Sequence, residues 1–296
     1  RVYKKAARHV QSNPTNETSP KSGASGQKLI AIVLLIFVIG YCTRMTISRQ
    51  GSPMLDAFWL VCHDDANDDD RKKAFLLLLD NDHREWLGPK LDGLDLHGLD
   101  FSSKYLHWIK LDEANVAGAD FSNAVLTRSS LVTVQFQNAD FSNADLSNAK
   151  LLRSVLTNAM FTDAVMTSAS LEQVVAVDAN FSGANLAETH LLMADFSGAN
   201  LENADLSFCN AEAAIFTNTN LLGANFDGAF LFDADFTNCN WWRAKGISPE
   251  LITDMMIEYA PTEDADSELK DDYQKWLESS DTAFNPQDLL DPIKTY

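Results

Sequence analysis

The sequence predicts an all-β solenoid, a squared coil of short parallel β segments, on three observations. Every fifth residue from Leu91 to Trp241 is large and apolar, with only Ala176 and Ala211 small. The residue two positions before it is compact: alanine at Ala114, Ala119, Ala124, Ala139, Ala144 and Ala149, and elsewhere Ser129, Ser154, Thr189, Cys209, Thr219 or Cys239, with Val134 and Val174 the largest exceptions. A longer period sits inside the first. Phe101, Phe121, Phe141, Phe161 and Phe181 recur every twenty residues, and Leu111, Leu131, Leu151, Leu171 and Leu191 form a second ladder. A period of five matches neither a helix nor a strand. It fits a chain that turns a corner every five residues and closes a square circuit every twenty, with like side chains stacked on like. Phe121, Phe141 and Phe161 are therefore expected to lie one over another. With about 4.8 Å between stacked strands, roughly eight coils make a rod on the order of 37 Å long.

Fragments such as Ala139-Asp140-Phe141-Ser142-Asn143 and Ala199-Asn200-Leu201-Glu202-Asn203 match the motif A(D/N)LXX residue for residue. In residues 91–245 the chain resembles the pentapeptide-repeat family. The resemblance implies a right-handed quadrilateral parallel β-helix, with the large and the small residue of each five both pointing inward. A narrow square tube accommodates that pair, and each buried Phe or Leu contributes about 1.5–3 kcal/mol.

Before the tube, the chain divides by composition. Residues 1–28 are polar, with Pro14, Pro20, Gly23 and Gly26, and are expected to be a disordered leader. Residues 29–43, LIAIVLLIFVIGYCT, carry no charge and lie between Lys28 and Arg44. This run is shorter than the ideal span of about 20 residues, but flanking Lys and Arg side chains can reach the interface. It is read as an N-terminal transmembrane helix in preference to a cleaved signal peptide or a buried core helix. The leader carries Arg1, Lys4, Lys5, Arg8, Lys21 and Lys28 against Glu17, which favours a cytoplasmic N-terminus and an exported tube.

Residues 44–90 are read as a linker and cap helix. A solenoid needs its open end covered, and the run Asp70 to Leu79 supplies a short helix entered through acidic residues. The first fives depart from the motif, with Leu94, Leu99, Lys104 and Ile109 at the small position. An irregular, wider first coil is expected there, with a clean tube from Ala114 onward.

Residues 246–296 form an acidic helical tail. Ser248-Pro249-Glu250 is a helix start that places Leu251, Met255 and Tyr259 on one face. A second helix near 263–279 gathers Leu269, Tyr273, Trp276 and Leu277 on one stripe. The tail is expected to cover the last coil, where Trp241 and Trp242 would otherwise be wet. In some family members this end is the dimer interface, so a homodimer through the tail is the alternative.

Charge bounds the partners. The net charge is −19. Residues 91–245 hold 19 acidic and 7 basic residues, and residues 246–296 hold 13 and 3. Direct nucleic-acid binding is excluded by sign. A negative rod could instead imitate DNA, as the family's quinolone-resistance proteins do toward topoisomerases. The plainer account is that outward Asp and Asn keep a solenoid soluble.

No catalytic constellation or cofactor site emerges. His63, His83, His97, His107 and His190 are scattered, and no phosphate loop, dinucleotide fingerprint or nucleophile elbow is present. Cys62-His63-Asp64-Asp65 leads into Asp68-Asp69-Asp70, but a calcium loop would need glycine at Asp70 and glutamate at Leu76. Cys209 and Cys239 fall half a circuit out of phase, Cys42 lies in the apolar run, and Cys62 has no evident partner, so no disulfide framework is expected.

One asymmetry carries functional content. Outward residues on the Phe-ladder face are mostly polar, such as Ser122, Asn143, Thr162 and Ser182. On the Leu-ladder face Val132, Leu152, Val155, Val175, Leu192, Ile215 and Phe232 are apolar. A contiguous apolar stripe marks a contact surface, unless the tail folds back over it. The sequence is read as a non-enzymatic, membrane-anchored scaffold or accessory subunit that presents a rigid face to a protein partner in a membrane-associated complex. The competing readings are a DNA-mimicking topoisomerase-binding protein and an enzyme of unknown type.

Overall fold

A computed structural model describes residues 53–62, 66–81 and 91–279. The chain divides into Arg1–Ser52 and Pro53–Tyr296, and the described residues all fall in the second unit. The polar leader and the apolar run 29–43 lie outside them. Among the described residues no helix is long and apolar enough to cross a membrane.

From Leu91 onward the backbone repeats every five residues and bridges in parallel to the segment twenty residues on, from Asp95 with Asn115 to Asn225 with Lys245. The five Asp120–Ala124 shows why. Asp120 N–H donates to Leu99 O of the preceding coil (2.9 Å). Phe121 and Asn123 N–H donate to Asp140 O and Ser142 O of the next coil (2.6 and 2.9 Å). Ala124 N–H closes the corner on Phe121 O (3.0 Å), and the last donor, Ser122 N–H, goes to Asp120 Oδ1 (2.8 Å). All five amides are satisfied, as a backbone buried against its neighbours requires.

The corner has a cost. The third residue of each five, counted from the large one, has φ between 53° and 71° from Gly93 to Asn238. A positive φ at the third position of a four-residue turn is the type II requirement. Glycine and asparagine tolerate it and are frequent there, whereas β-branched Thr133 is held in place by the coils around it.

Inside the tube, the large side chains stack as the period of twenty demands. The ring centroids of Phe101 and Phe121, Phe121 and Phe141, Phe141 and Phe161, and Phe161 and Phe181 lie 4.6, 4.7, 4.8 and 4.6 Å apart. The alanines of the small position are buried beside them.

The first coil differs from expectation. Its five-residue turns and twenty-residue bridges are already regular at Gly93 and Asp95. Leu94 and Ile109 are fully buried, and Leu99 and Lys104 half-buried. The reason is that, among the described residues, a helix and not another coil lies beneath this one. Side chains larger than alanine fill its mouth without widening the backbone.

Two helices complete that mouth, α1 at Pro53–Cys62 and α2 at Asp68–Asp80. Asn67 caps α2 by accepting from Asp70 N–H, and Asp68, Asp69 and Asp70 occupy its first turn, where the helix dipole favours acids. Phe75 of α2 lies 6.0 Å from Phe101, and Lys72 Nζ donates to Asp95 O at 2.5 Å.

At the other end a 3-10 turn at Trp241–Arg243 leads into α3 (Pro249–Glu258) and α4 (Ser267–Glu278). Gly246, at φ +76°, brings the chain so close to the last coil that a Cβ would lie 2.3 Å from Asp227 N. Trp241 is fully buried and donates to Tyr259 O, while Tyr259 Oη donates to Ala234 O, both at 3.0 Å. Trp242 packs on Tyr273 at 4.8 Å. Asp272 joins the two elements, accepting from Trp242 Nε1 and Arg243 Nε at 2.8 Å each and from the second Arg243 nitrogen as well.

Asp140→Asn keeps the side-chain acceptor for Ser142 N–H and is expected to unfold at the same denaturant midpoint as the parent. Asp140→Ala removes it and is expected to cost about 1 kcal/mol in the same titration. Hydrogen bonding from Arg243 holds the Asp272 carboxyl below its ordinary value. Its contribution is therefore complete above the ordinary carboxylate pKa and lost as pH falls through the lowered folded value. Tryptophan fluorescence of the end cap is expected to report loosening below about pH 4, and Asp272→Asn is expected to be looser at neutral pH and flat across that range.

Candidate protein-contact face

The outward residues of the Leu-ladder face fall into columns because each coil hydrogen-bonds to the next in fixed register. Thr133, Arg153, Gln173, Met193 and Ala213 donate in turn to the carbonyls of Leu152, Glu172, Leu192, Glu212 and Phe232. One column thus reads Val132, Leu152, Glu172, Leu192, Glu212, Phe232. A neighbouring bridge column reads Gln135, Val155, Val175, Asp195, Ile215, Asp235. The seven apolar residues expected from the sequence do share one face, but Glu172, Asp195 and Glu212 interleave them. The stripe is apolar with acidic rungs, not continuous.

Acids stacked in adjacent coils repel at close range. At Asp92, burial and then the Asp112 charge push the carboxyl up, whereas the Phe-ladder face stacks Asp100, Asp120 and Asp140 in consecutive coils. In the upper column each glutamate is separated from the next by an apolar rung.

The column before the Leu ladder also lacks the motif's side-chain acceptor at most coils, Asn210, which accepts from Glu212 N–H at 3.1 Å, being the exception. Lys150, Ser170, His190 and Phe230 stand where Asp or Asn would take the amide two residues on. Among the described residues, the N–H groups of Leu152, Glu172, Leu192 and Phe232 have no hydrogen-bond partner. Val132 N–H is instead served by Asp112 Oδ1 at 2.8 Å. Glu172 Oε2 is buried and likewise has no partner.

Met193 and Phe230 belong to the same face and are more than half exposed, at 56% and 52%, as is Phe232 at 59%. The signal that reveals them is an apolar residue at the positive-φ position or at the Asp/Asn position of the motif. Phe230 and Phe232 lie 6.3 Å apart, nearly parallel. The described part of the tail packs on Trp241, Trp242 and Ala234 and leaves these rings exposed.

The scattered titratable groups do not converge. His97 Nδ1 pairs with Asp95 at 2.8 Å, His107 contacts Thr127, and His190 lies in an outward column between Ser170 and Asn210. His63 and His83 lie outside the described residues. Among the described residues no group of three or more His, Cys, Asp or Glu is placed to hold a metal ion. Burial pushes the Cys209 thiol up to about 12 and raises those of Cys239 and Cys62.

Residues 105–243 match the family described as pentapeptide repeats, in overlapping stretches that include 105–143, 139–175, 164–203 and 204–243. Residues 105–243 of the chain are pentapeptide repeats. Proteins with such repeats are generally non-catalytic. No curated protein matches the chain by sequence. Among solved structures it is similar to QnrB1, a plasmid-mediated fluoroquinolone resistance protein, at 24% identity over 50% of this chain and 82% of that one, with a TM-score of 0.32. It is also similar to HetL, involved in heterocyst differentiation regulation in the cyanobacterium Nostoc sp. strain PCC 7120, at 20% identity over 56% and 95%, with a TM-score of 0.23. A pentapeptide repeat protein from the Arabidopsis thaliana thylakoid lumen is 28% identical over 48% and 72%, with a TM-score of 0.16.

Thiolate is the reactive form of cysteine. Cys209 and Cys239 are therefore expected to resist alkylation at pH 8 in the folded pentapeptide-repeat protein and to label fully in denaturant, read by peptide mass spectrometry.

Proposed function

We propose that the chain is a non-enzymatic, membrane-anchored scaffold or accessory subunit. Its rigid β-helix presents the Leu-ladder face to a protein partner in a membrane-associated complex. The observation that carries this reading is the large apolar side chains of that face, Met193, Phe230 and Phe232 foremost, which the described tail leaves uncovered; others, such as Phe208 and Met160, are exposed elsewhere on the rod. Exposed apolar area of this kind stabilises a complex when it is removed from water.

The anchor rests on the uncharged run 29–43, and the basic leader favours a cytoplasmic N-terminus with the β-helix exported. DNA mimicry rests on net charge alone, and the geometry offers another use for much of that charge. Asp100, Asp120, Asp140, Asp145, Asp195, Asp205 and Asp235 each accept from the amide two residues on. Asparagine performs the same task at Asn180, Asn185 and Asn200. Turn closure thus accounts for seven of the 19 acids in residues 91–245. A homodimer through the tail competes with Tyr273 and Trp276 of α4, already committed to the last coil.

The test is crosslinking in native membranes with identification of the attached chains. Leu152→Asp with Leu192→Asp is expected to abolish capture of the main partner while leaving the thermal unfolding midpoint within a few degrees of the parent. Retention of every captured chain by the double variant would overturn the proposal.

A further inference from the structure

We propose that the contact face, from Leu152 to Phe232, seats a basic amphipathic helix of the partner protein. This rests on the contact reading above and adds the chemistry of what docks there.

The first ground is charge. Lys150 and Arg153 flank Leu152 at the lower end, where Arg153 Nε donates to Gln173 Oε1 at 3.1 Å. From Glu172 upward the outward residues of this face include Glu172, Asp195, Glu212, Asp233 and Asp235 and no Lys or Arg. Asp195 and Asp235 are occupied by the amides of Ser197 and Thr237. Glu172 is not: its Oε2 is buried beside the leucine rungs without a donor. A carboxylate already removed from water on one oxygen gains a charge-assisted hydrogen bond from an incoming Lys or Arg, with little further desolvation.

The second ground is spacing. Leu152, Leu192 and Phe232 recur every second coil, about 9.6 Å apart at a strand spacing of about 4.8 Å. Two turns of a helix, seven residues, advance about 10.5 Å. A helix laid along the rod would therefore set one apolar residue per heptad against each apolar rung, and basic residues between them against Glu172 and Glu212. Same-face residues of an extended strand recur every 6.8 Å or so, which meets Leu192 with neither its first nor its second step.

The test uses the full chain in detergent micelles, with empty micelles as the blank, and three fluorescein-labelled 21-residue peptides read by anisotropy. The first has Leu at heptad spacing and Lys between, the second the same residues in scrambled order, and the third Glu in place of each Lys. The Leu/Lys helix is expected to bind at least about tenfold more tightly than either control. Glu172→Gln with Glu212→Gln is expected to weaken it by about tenfold without moving the thermal unfolding midpoint, and Glu172→Lys with Glu212→Lys is expected to switch preference to the Glu peptide. Equal binding of ordered and scrambled peptides, or an unchanged affinity in the glutamine variant, overturns the inference. So does self-association of the chain through this face in place of peptide binding. If no peptide binds while Leu152→Asp with Leu192→Asp still abolishes partner capture in membranes, the contact reading stands and the helix falls. If capture survives that double variant, the contact reading itself has failed.

Discussion

The interlocking of backbone hydrogen bonds between coils is the constraint on which everything else in this molecule depends. Each five spends two amides on the next coil, one on the preceding coil, and one on its own corner. The fifth falls to a side chain, Asp or Asn at the position before the large residue. Stacking in register by twenty follows from the first three, and the stacked Phe column follows from the register. The corner bond then demands a left-handed residue at one place in every five.

Acidity and apolarity are linked through that fifth amide. Where Asp takes it, the face is charged, and much of that charge is tied to the protein's own backbone. Where the position is given up to Lys150, Ser170, Val175, His190 or Phe230, the acceptor disappears and the surface becomes available for other contacts. The Leu-ladder face thus departs from the motif in two ways at once. It exposes apolar side chains, and it leaves a row of amides without an internal partner. Similar departures occur singly on other faces, at Val125, Met160 and Val165, but on the Leu-ladder face they run through successive coils.

Ends are where a solenoid is incomplete, and both are closed by aromatic packing on helices. Phe75 of α2 continues the Phe column below Phe101. Trp241 continues the column register above Leu221 and is sealed by Tyr273 and Trp276. Arg243 and Asp272 fix the seal's orientation through a two-point contact, whose planar geometry specifies one arrangement. With both ends closed by short helices, the long faces between them are the surfaces left for a partner.

Much of this was legible in the residues alone. The period of five determined which side chains point inward, and the period of twenty determined that Phe121, Phe141 and Phe161 stack, because inward residues repeat and so announce their neighbours. Outward residues do not repeat, and their neighbours had to be found through the register. That is why the leucines at 152 and 192 read as a continuous stripe until Glu172 was placed between them. The regular first coil was also beyond the sequence, since nothing in Leu94 or Ile109 says that the described residues close this mouth with a helix and not with another coil. Direction belongs to the local chain, which alternates by its own dihedral angles. Adjacency belongs to the hydrogen bonds between coils, and only the assembled tube decides it.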